Sequence, residues 1–495
     1  MDEEDGSLLY RLRPGIASKE AKGRLYLISS FPIKAISLHY AWKPAFERMS
    51  REGRLTFRDM AASIPRDDPS KVKRFLSDLV REGYLSQEGI DPSIDWPPVS
   101  VIIPVRNRPK EIAACLDSLE RVSYPRDRLE VIVVNDASTD GTPRVVAEFP
   151  VRQISLDERR HAPGCRNMGA AAARGEVLAF IDSDCVADPL WLKELVPAFE
   201  QEEVGVVGGL VDSAMEDNGL DRYERVKSSL RVASWYKRSH ERERSFYVPS
   251  CNLLVRRSLF LKIGGFREDL LVGEDVDFCW RMEDQGGWID YLPVGKVYHR
   301  HRNRMKDFCI RRFEYGASEP ALQQLHASRV KHLLLLPGAA LFWVLILLSI
   351  LGAGMVPLGL GCLWTLILGG TRYAGIRKRG IPIGFMPLLR SVLRSHGVFL
   401  YHCCAFVSRY YAVLALPVLP FSPLLACVVT CAHVLAGVTE FFIKRPRLSL
   451  LSFLFFFSAE QVSYQAGVWW GCFRRRFFSP VNPCLLFTQR KRARL

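Results

Sequence analysis

An α/β domain built on a doubly wound, mostly parallel sheet is the fold class this sequence predicts, preceded by a small winged-helix-like unit and followed by membrane-associated α-helices. Three observations predict it. Short apolar runs alternate with helical stretches through the middle of the chain, three patches with helical apolar spacing precede them, and residues 333–370 and 410–439 contain no Asp, Glu, Lys or Arg. The 495 residues leave room for two or three domains, and 48% apolar content with a formal net charge of +15, unevenly spread, implies a part-soluble, part-embedded chain.

Residues 1–92 form the first expected unit. RLYLISS and AISLHY suit short strands, or a strand and a helix start. Trp42 to Met49, Thr56 to Ile64 and Pro69 to Glu82 carry apolar residues three and four apart, with Thr56 and Ser70 where N-caps are expected, and GYLSQEG reads as a wing strand. This is the outline of a winged helix. Residues 1–95 hold 16 Lys and Arg against 15 Asp and Glu. Lacking the net positive charge that phosphate neutralisation requires, the unit points to protein or peptide recognition, with a purely structural module as the alternative, and not to nucleic acid.

The opening MDEEDGSLLYRLRPG is acidic and has no apolar core, so the N-terminal part is expected to stay in the cytoplasm. Thirteen cysteines show no paired metal-binding spacing; the closest, Cys403 with Cys404 and Cys427 with Cys431, lie in apolar tracts and read as reduced thiols.

DPSIDWPP, residues 91–98, is a linker. Beyond it VSVIIPV, a helix from Lys110 to Leu119, LEVIVVND, a helix after Thr142, EVLAFIDSD and a helix from Pro189 follow one another, placing an α/β domain at about 97–320. Fully apolar strands are buried on both faces, as in a parallel sheet covered by helices.

Residues 333–370 suffice for two crossings of a bilayer at about 1.5 Å per residue, with Gly352 to Pro357 as the turn. Arg329 and Lys331 before this hairpin, and Arg372, Arg377, Lys378 and Arg379 after it, place both flanks in the cytoplasm. The tract 410–439, bracketed by Arg409 and by Lys444, Arg445 and Arg447, is a second hairpin or, given Pro417, Pro420 and Pro423, a re-entrant or interfacial segment. SLLSFLFFFSAEQVSYQAGVWWGCFRRRFF fits an amphipathic helix in the headgroup region, the alternative being a buried core helix. Residues 330–480 are thus expected to be membrane-embedded hairpins and interfacial helices.

Doubly wound sheets bind ligands at the carboxyl ends of their strands, so chemistry is sought there. Pro104, Val105, Arg106, Asn107 and Arg108 follow the first strand, Asn135 and Asp136 the second, and Asp182, Ser183 and Asp184 the third. Asp182 and Asp184 alternate by two, which on an extended backbone aims both carboxylates into one cleft. Beside a nucleotide diphosphate they would need a divalent cation between them, and oxygen ligands suit Mg²⁺ or Mn²⁺. PVRNR stands where a dinucleotide-binding domain would carry GxGxxG.

VSVIIPVRNRPKEIAACLDSL, EVIVVNDASTDGT, APGCRNMGAAAARGEVLAFIDSDC and GGFREDLLVGEDVDFCWRM, in this order, resemble the family 2 glycosyltransferases of the GT-A fold. The resemblance implies a hexosyltransferase that uses a nucleotide-diphosphate sugar. It places Pro104 and Asn107 in the nucleotide pocket, Asp136 on the base, Asp182 on the ribose side, Asp184 on the metal, and Arg166 with Asn167 near the donor phosphates. It makes Asp275 of GEDVDF the general base, with Glu274 orienting acceptor hydroxyls. One base without a covalent partner implies inversion at the anomeric carbon. His299 in YHRHRN is a candidate third metal ligand, with His301 nearby. RRFEYGASEPAL stands where processive synthases carry QxxRW, which argues against a long-polymer synthase.

YRLRPGI, LYLISS, GRLTFRDMAASI and VKRFLSDLVREGYLS resemble PqqD-like peptide-recognition modules. Such a module ahead of a family 2 glycosyltransferase and membrane hairpins is similar to the glycosyltransferase family of mycofactocin biosynthesis. That resemblance implies UDP-glucose as donor, a peptide-derived redox cofactor (premycofactocin) as acceptor, and work at the cytoplasmic membrane face. A lipid-linked or polysaccharide acceptor is the alternative.

Overall fold

The computed structural model describes residues 9–13, 16–21, 23–30, 33–63, 68–81, 84–88, 95–233, 236–239, 246–301 and 303–487. By internal contacts the chain divides into two compact units, one of residues 1–92, 331–407 and 483–495, the other of residues 93–330 and 408–482.

In the first unit Leu9–Leu12 pairs antiparallel with Leu55–Thr56 and with Leu85–Glu88, while Ile16–Ala21, Arg24–Ser30 and Ile33–Leu38 form an antiparallel meander. Helices Lys43–Glu52, Phe57–Ala62 and Pro69–Arg81 bury Phe46, Met49, Met60, Leu76 and Leu79 together with Tyr10. Thr56 is an N-cap: its hydroxyl accepts from the Asp59 N–H at 3.0 Å, and the Asp59 carboxylate accepts from the Thr56 N–H at 3.2 Å. The third helix starts at Pro69, so Ser70 lies inside its first turn and is not the cap.

The same unit holds an apolar hairpin. Pro337–Leu348 runs on through a π turn to Ala353, Gly352 and Gly354 take the positive φ values of 100° and 76° that turn the chain, and Val356–Lys378 packs back along the first arm. The turn falls where expected, yet Pro337–Ala353 is shorter than the roughly 20 residues a bilayer crossing takes. Among the described residues one helix, Pro423–Lys444, is long and apolar enough to cross alone; a second span exists only if the bent pair Phe385–Tyr410 and Ala412–Val418 counts as one. In the tract 410–439 Pro423 opens a single continuous helix, preceded by the short helical turns Ala412–Leu414 and Ala415–Val418.

The second unit is organised by an eight-stranded sheet. Its strands are β1 (Val99–Val105), β2 (Leu129–Asn135), β3 (Arg152–Ser155), β4 (Val177–Phe180), β5 (Val204–Gly208), β6 (Lys237–Arg238), β7 (Leu253–Arg256) and β8 (Trp288–Tyr291), in the spatial order β6-β8-β5-β7-β4-β1-β2-β3. β1 runs parallel to β2 and β4, β2 to β3, and β5 to β8, while β7 and β6 are antiparallel to their neighbours. Val101, Ile103 and Val133 pack on one face, and Ile102, Ile132 and Val134 on the other. Burial on both faces is why these strands are continuous apolar runs. A smaller sheet, Cys185–Ala187, Val297–His299 and Val211–Ser213, lies beyond the end of β4.

Helices of this unit include α1 (Pro109–Glu120), α2 (His161–Ala172), α3 (Glu274–Asp284), α4 (Met305–Leu325) and α5 (Leu450–Arg475). α5 is the stretch expected at the membrane interface; one face of it is buried in this unit, while Leu451, Phe455, Trp470 and Phe473 on it are exposed. Glu460, Gln461, Gln465, Val468 and Cys472 on it are buried, and it packs along α4 through glycines. A Cβ at Gly316 would stand 2.0 Å from the Tyr464 carbonyl oxygen, and one at Gly467 2.0 Å from that of Phe313. Backbones this close tolerate only hydrogen at those positions. Gly316→Ala or Gly467→Ala should therefore cost about 3 kcal/mol, the upper end for overpacking. Urea unfolding of each variant checks this, and an unchanged midpoint would show that the two helices separate freely.

Candidate active site

The polar clusters after β1, β2 and β4 converge because parallel strands end on the same edge of a sheet. There a cleft of about 460 Å³ is lined by Pro104, Val105, Asp136, Arg166, Asp182, Asp184, Glu274, Asp275 and His299, among others. Each is a residue that the sequence alone points to. The volume suits a small-molecule ligand.

Arg166 on α2 is the hub. It is 3% exposed, and its Nη2 donates to Asp182 at 2.6 Å while its Nη1 donates to Glu274 at 2.9 Å. Burial alone would lower its pKa, but Asp182 and Glu274 outweigh it and keep the guanidinium charged. Gly273, at φ 87°, turns the chain into α3, so Glu274, Asp275 and Asp277 occupy the first turn where a helix favours negative charge. Asp275 accepts from the Ser250 N–H at 3.3 Å, and burial together with the Glu274 carboxylate pushes its carboxyl up to about 7.

Asp182 and Asp184 reach the cleft, but not on an extended backbone. β4 ends at Phe180, the two residues sit in a turn, and their partners differ. Asp182 is taken by Arg166 and stands outside the one group of potential metal ligands among the described residues, which is Asp184, Cys185 and His299. Burial pushes the Cys185 thiol well up, and it packs in the core, which leaves Asp184 and His299 as donors. Their nearest side-chain atoms are 3.5 Å apart, and Asp184 Oδ1 and His299 Nδ1 are buried without a hydrogen-bond partner. Asp184 Oδ1 and the His299 nitrogen that faces it, Nε2, are the oxygen and imidazole donors that fit a divalent cation. Burial would raise the Asp184 carboxyl, yet His299 and Arg108 outweigh it and hold it below the usual range.

Two expected pocket residues act elsewhere. The exposed Asn107, at φ 50°, bonds Thr139 through its carboxamide (2.8 and 3.3 Å) and Ser138 through its N–H, tying the loop after β1 to the loop after β2. Asn167 donates to the Phe266 carbonyl at 2.8 Å and accepts from the Phe266 N–H at 2.9 Å, with Gly265 packed so closely that a Cβ would stand 2.5 Å from its oxygen. Both carboxamides are engaged in holding distant segments together, Asn107 at Thr139 and Asn167 at the Phe266 backbone. Asp136 lines the cleft, but its carboxylate already accepts the N–H groups of Arg160 (2.6 Å) and His161 (3.2 Å) at the start of α2.

Residues 100–264 match the family described as Glycosyl transferase family 2. They are a family 2 glycosyltransferase domain. The chain is 29% identical over 399 residues to the pre-mycofactocin glycosyltransferase of Mycobacterium tuberculosis, covering 78% of this chain and 82% of that protein. It is 32% identical over 197 residues to glycosyltransferase AglE of Haloferax volcanii, 38% of this chain and 62% of the relative. Among solved structures, the mannosyltransferase PcManGT of Pyrobaculum calidifontis has a TM-score of 0.36 at 18% identity, covering 62% of this chain and 89% of its own. TarS residues 1–349 of S. aureus also score 0.36, at 24% identity, covering 45% and 64%. The chain is a nucleotide-sugar-dependent glycosyltransferase that resembles the mycofactocin enzyme.

Several residues of this glycosyltransferase's cleft carry no sequence signal of their own. Glu224, in DRYERVK, is buried, pairs with Arg312 of α4 and lies 3.5 Å from His301. Arg312 in turn lies 3.7 Å from Glu460 of α5, which also accepts from the Tyr223 hydroxyl. Burial, followed by His299 and Arg312, depresses His301 to about 3, so this imidazole is neutral. Only the correspondence of RRFEY with the QxxRW position hints at Arg311 and Arg312.

Removing Arg166 leaves two carboxylates facing each other. Arg166→Met should cost about 3 kcal/mol, the low end for breaking a buried pair because Asp182 keeps some solvent. Arg166→Lys, with one ammonium for two partners, should recover only part of it. Urea midpoints of the two variants decide, and equal stability with wild type would remove Arg166 from the centre of the site.

Proposed function

We propose that this glycosyltransferase transfers glucose from UDP-glucose to pre-mycofactocin, with inversion, at the cytoplasmic face of a membrane. The observation that carries the mechanism is Asp275, a half-buried carboxyl raised to about 7 by burial and Glu274, on the same cleft as Asp184. A base must take the acceptor's hydroxyl proton as that oxygen attacks the anomeric carbon, and a carboxylate is most effective with a pKa near the working pH. No second carboxylate is assigned as nucleophile, which favours single displacement.

Asp184 and His299 would hold Mg²⁺ or Mn²⁺, which supplies positive charge for the leaving diphosphate. Arg159, Arg300 and Arg311 on the cleft add to that charge. Pro104 and Val105 would wall the nucleotide, Asp136 would face its base, Asp182 its ribose side, and Glu274 the acceptor. The acceptor assignment rests on similarity to the pre-mycofactocin enzyme over most of both chains. The strands and three helices of residues 9–88 support a winged-helix, PqqD-like peptide-recognition role. Exposed Leu424, Leu425 and Val428 on Pro423–Lys444 support membrane attachment.

Full-length protein in detergent, given labelled UDP-glucose with either pre-mycofactocin or a polyprenyl-phosphate acceptor, tests the substrate; label appearing only in lipid rejects the mycofactocin reading. Asp275→Asn should lower kcat by at least about a hundredfold. The pH profile has a definite sign. The base works deprotonated and its folded pKa is about 7, so kcat/KM should fall about tenfold per pH unit on acidifying below 7. Glu274→Gln removes a charge that raises Asp275, so the acidic limb should move to lower pH. A limb that stays in place assigns it to another group.

A further inference from the structure

We propose that Arg108 is an exchangeable counter-ion: its guanidinium neutralises Asp184 while no divalent cation is bound, and passes to the donor diphosphate when the cation arrives. This rests on the reading of Asp184 and His299 as metal ligands.

The guanidinium of Arg108 pairs with Asp184 Oδ2, while His299 faces the other oxygen, so that one carboxylate is shared by a fixed cation and an imidazole. The backbone around Arg108 is held firmly. Its N–H donates to Thr142 Oγ1 at 2.9 Å, and Asn107 before it is bonded to Ser138 and Thr139. The side chain is held loosely by comparison, being 40% exposed with Asp184 as its one carboxylate partner within 4 Å among the described residues. With Arg108 on Oδ2, Asp184 Oδ1 is buried and without a hydrogen-bond partner among the described residues, so half of this carboxylate is not satisfied by the pair.

A divalent cation at Asp184 and His299 would meet the positive charge of Arg108 a few ångströms away, and repulsion would favour moving the guanidinium outward. Arg108 lines the cleft with Arg159, Arg300 and Arg311, so an arriving diphosphate supplies the anion it then needs. A planar guanidinium suits phosphate oxygens as well as a carboxylate. The consequence is coupling: cation and nucleotide each bind more tightly with the other present, because each removes a competitor of the other.

The test uses full-length protein in detergent titrated with MnCl₂, free Mn²⁺ being read by electron paramagnetic resonance, with and without UDP. Arg108→Ala should bind Mn²⁺ alone about tenfold more tightly than wild type, and UDP in the presence of Mn²⁺ about tenfold more weakly, so the coupling shrinks. Arg108→Lys, which keeps the charge, should resemble wild type in Mn²⁺ affinity. Arg108→Gln replaces the alanine variant if circular dichroism shows that one misfolded. Unchanged Mn²⁺ affinity in Arg108→Ala, alongside loss of the ion in Asp184→Asn, overturns the exchange while leaving the metal site standing. If wild type with UDP holds no Mn²⁺, or Asp184→Asn holds it equally well, the metal reading fails and the exchange falls with it.

Discussion

A single buried guanidinium holds this active site together. Arg166 spans two carboxylates, Asp182 after β4 and Glu274 at the start of α3, that are 16 and 108 residues away in sequence. Only a planar, permanently charged fork satisfies both at once. The next residue, Asn167, clamps Gly265 and Phe266 just ahead of α3. One turn of α2 therefore fixes where α3 begins, and with it the position of Asp275. The same arrangement tunes Asp275: burial and then Glu274 raise its carboxyl and Arg166 opposes that rise, so it sits near neutrality and not at either extreme.

A second ionic layer backs the first. Glu224 joins His301 to Arg312, and Arg312 approaches Glu460, a carboxylate on a helix otherwise rich in phenylalanine and tryptophan. Tyr223, Arg312 and Arg409 share that carboxylate, so its burial is compensated. Glycines at the α4–α5 contact bring the backbones close enough for these side chains to meet. An apolar helix that carries Glu460, Gln461 and Gln465 among its buried residues thereby has one face in the unit's interior, held by polar partners as well as by its aromatic rings.

The strand-end clusters were legible because topology collects the carboxyl ends of parallel strands on one edge, so residues following separate apolar runs must become neighbours. Asp136, Asp182 and Asp184 follow that logic directly, and the family resemblance adds Arg166, Glu274, Asp275 and His299. Asn107 and Asn167 do not fit it, since nothing in a sequence tells a carboxamide that bonds nearby backbone from one that faces a ligand. Asp182 misleads for a related reason: its carboxylate looks free until Arg166, a helix away, is seen to occupy it. Glu224, Arg312 and Glu460 were beyond reach because each has meaning only through a partner on another element.

Apolar runs bounded by helical stretches determined, without coordinates, that this chain builds a covered parallel sheet with acidic groups at its rim, because a strand buried on both faces admits few polar residues. Which acidic group pairs with which base, and which face of α5 is buried, were decided by tertiary structure alone. Those outcomes depend on distances of a few ångströms between residues tens to hundreds of positions apart, and electrostatics at that range follows three-dimensional geometry and not order along the chain.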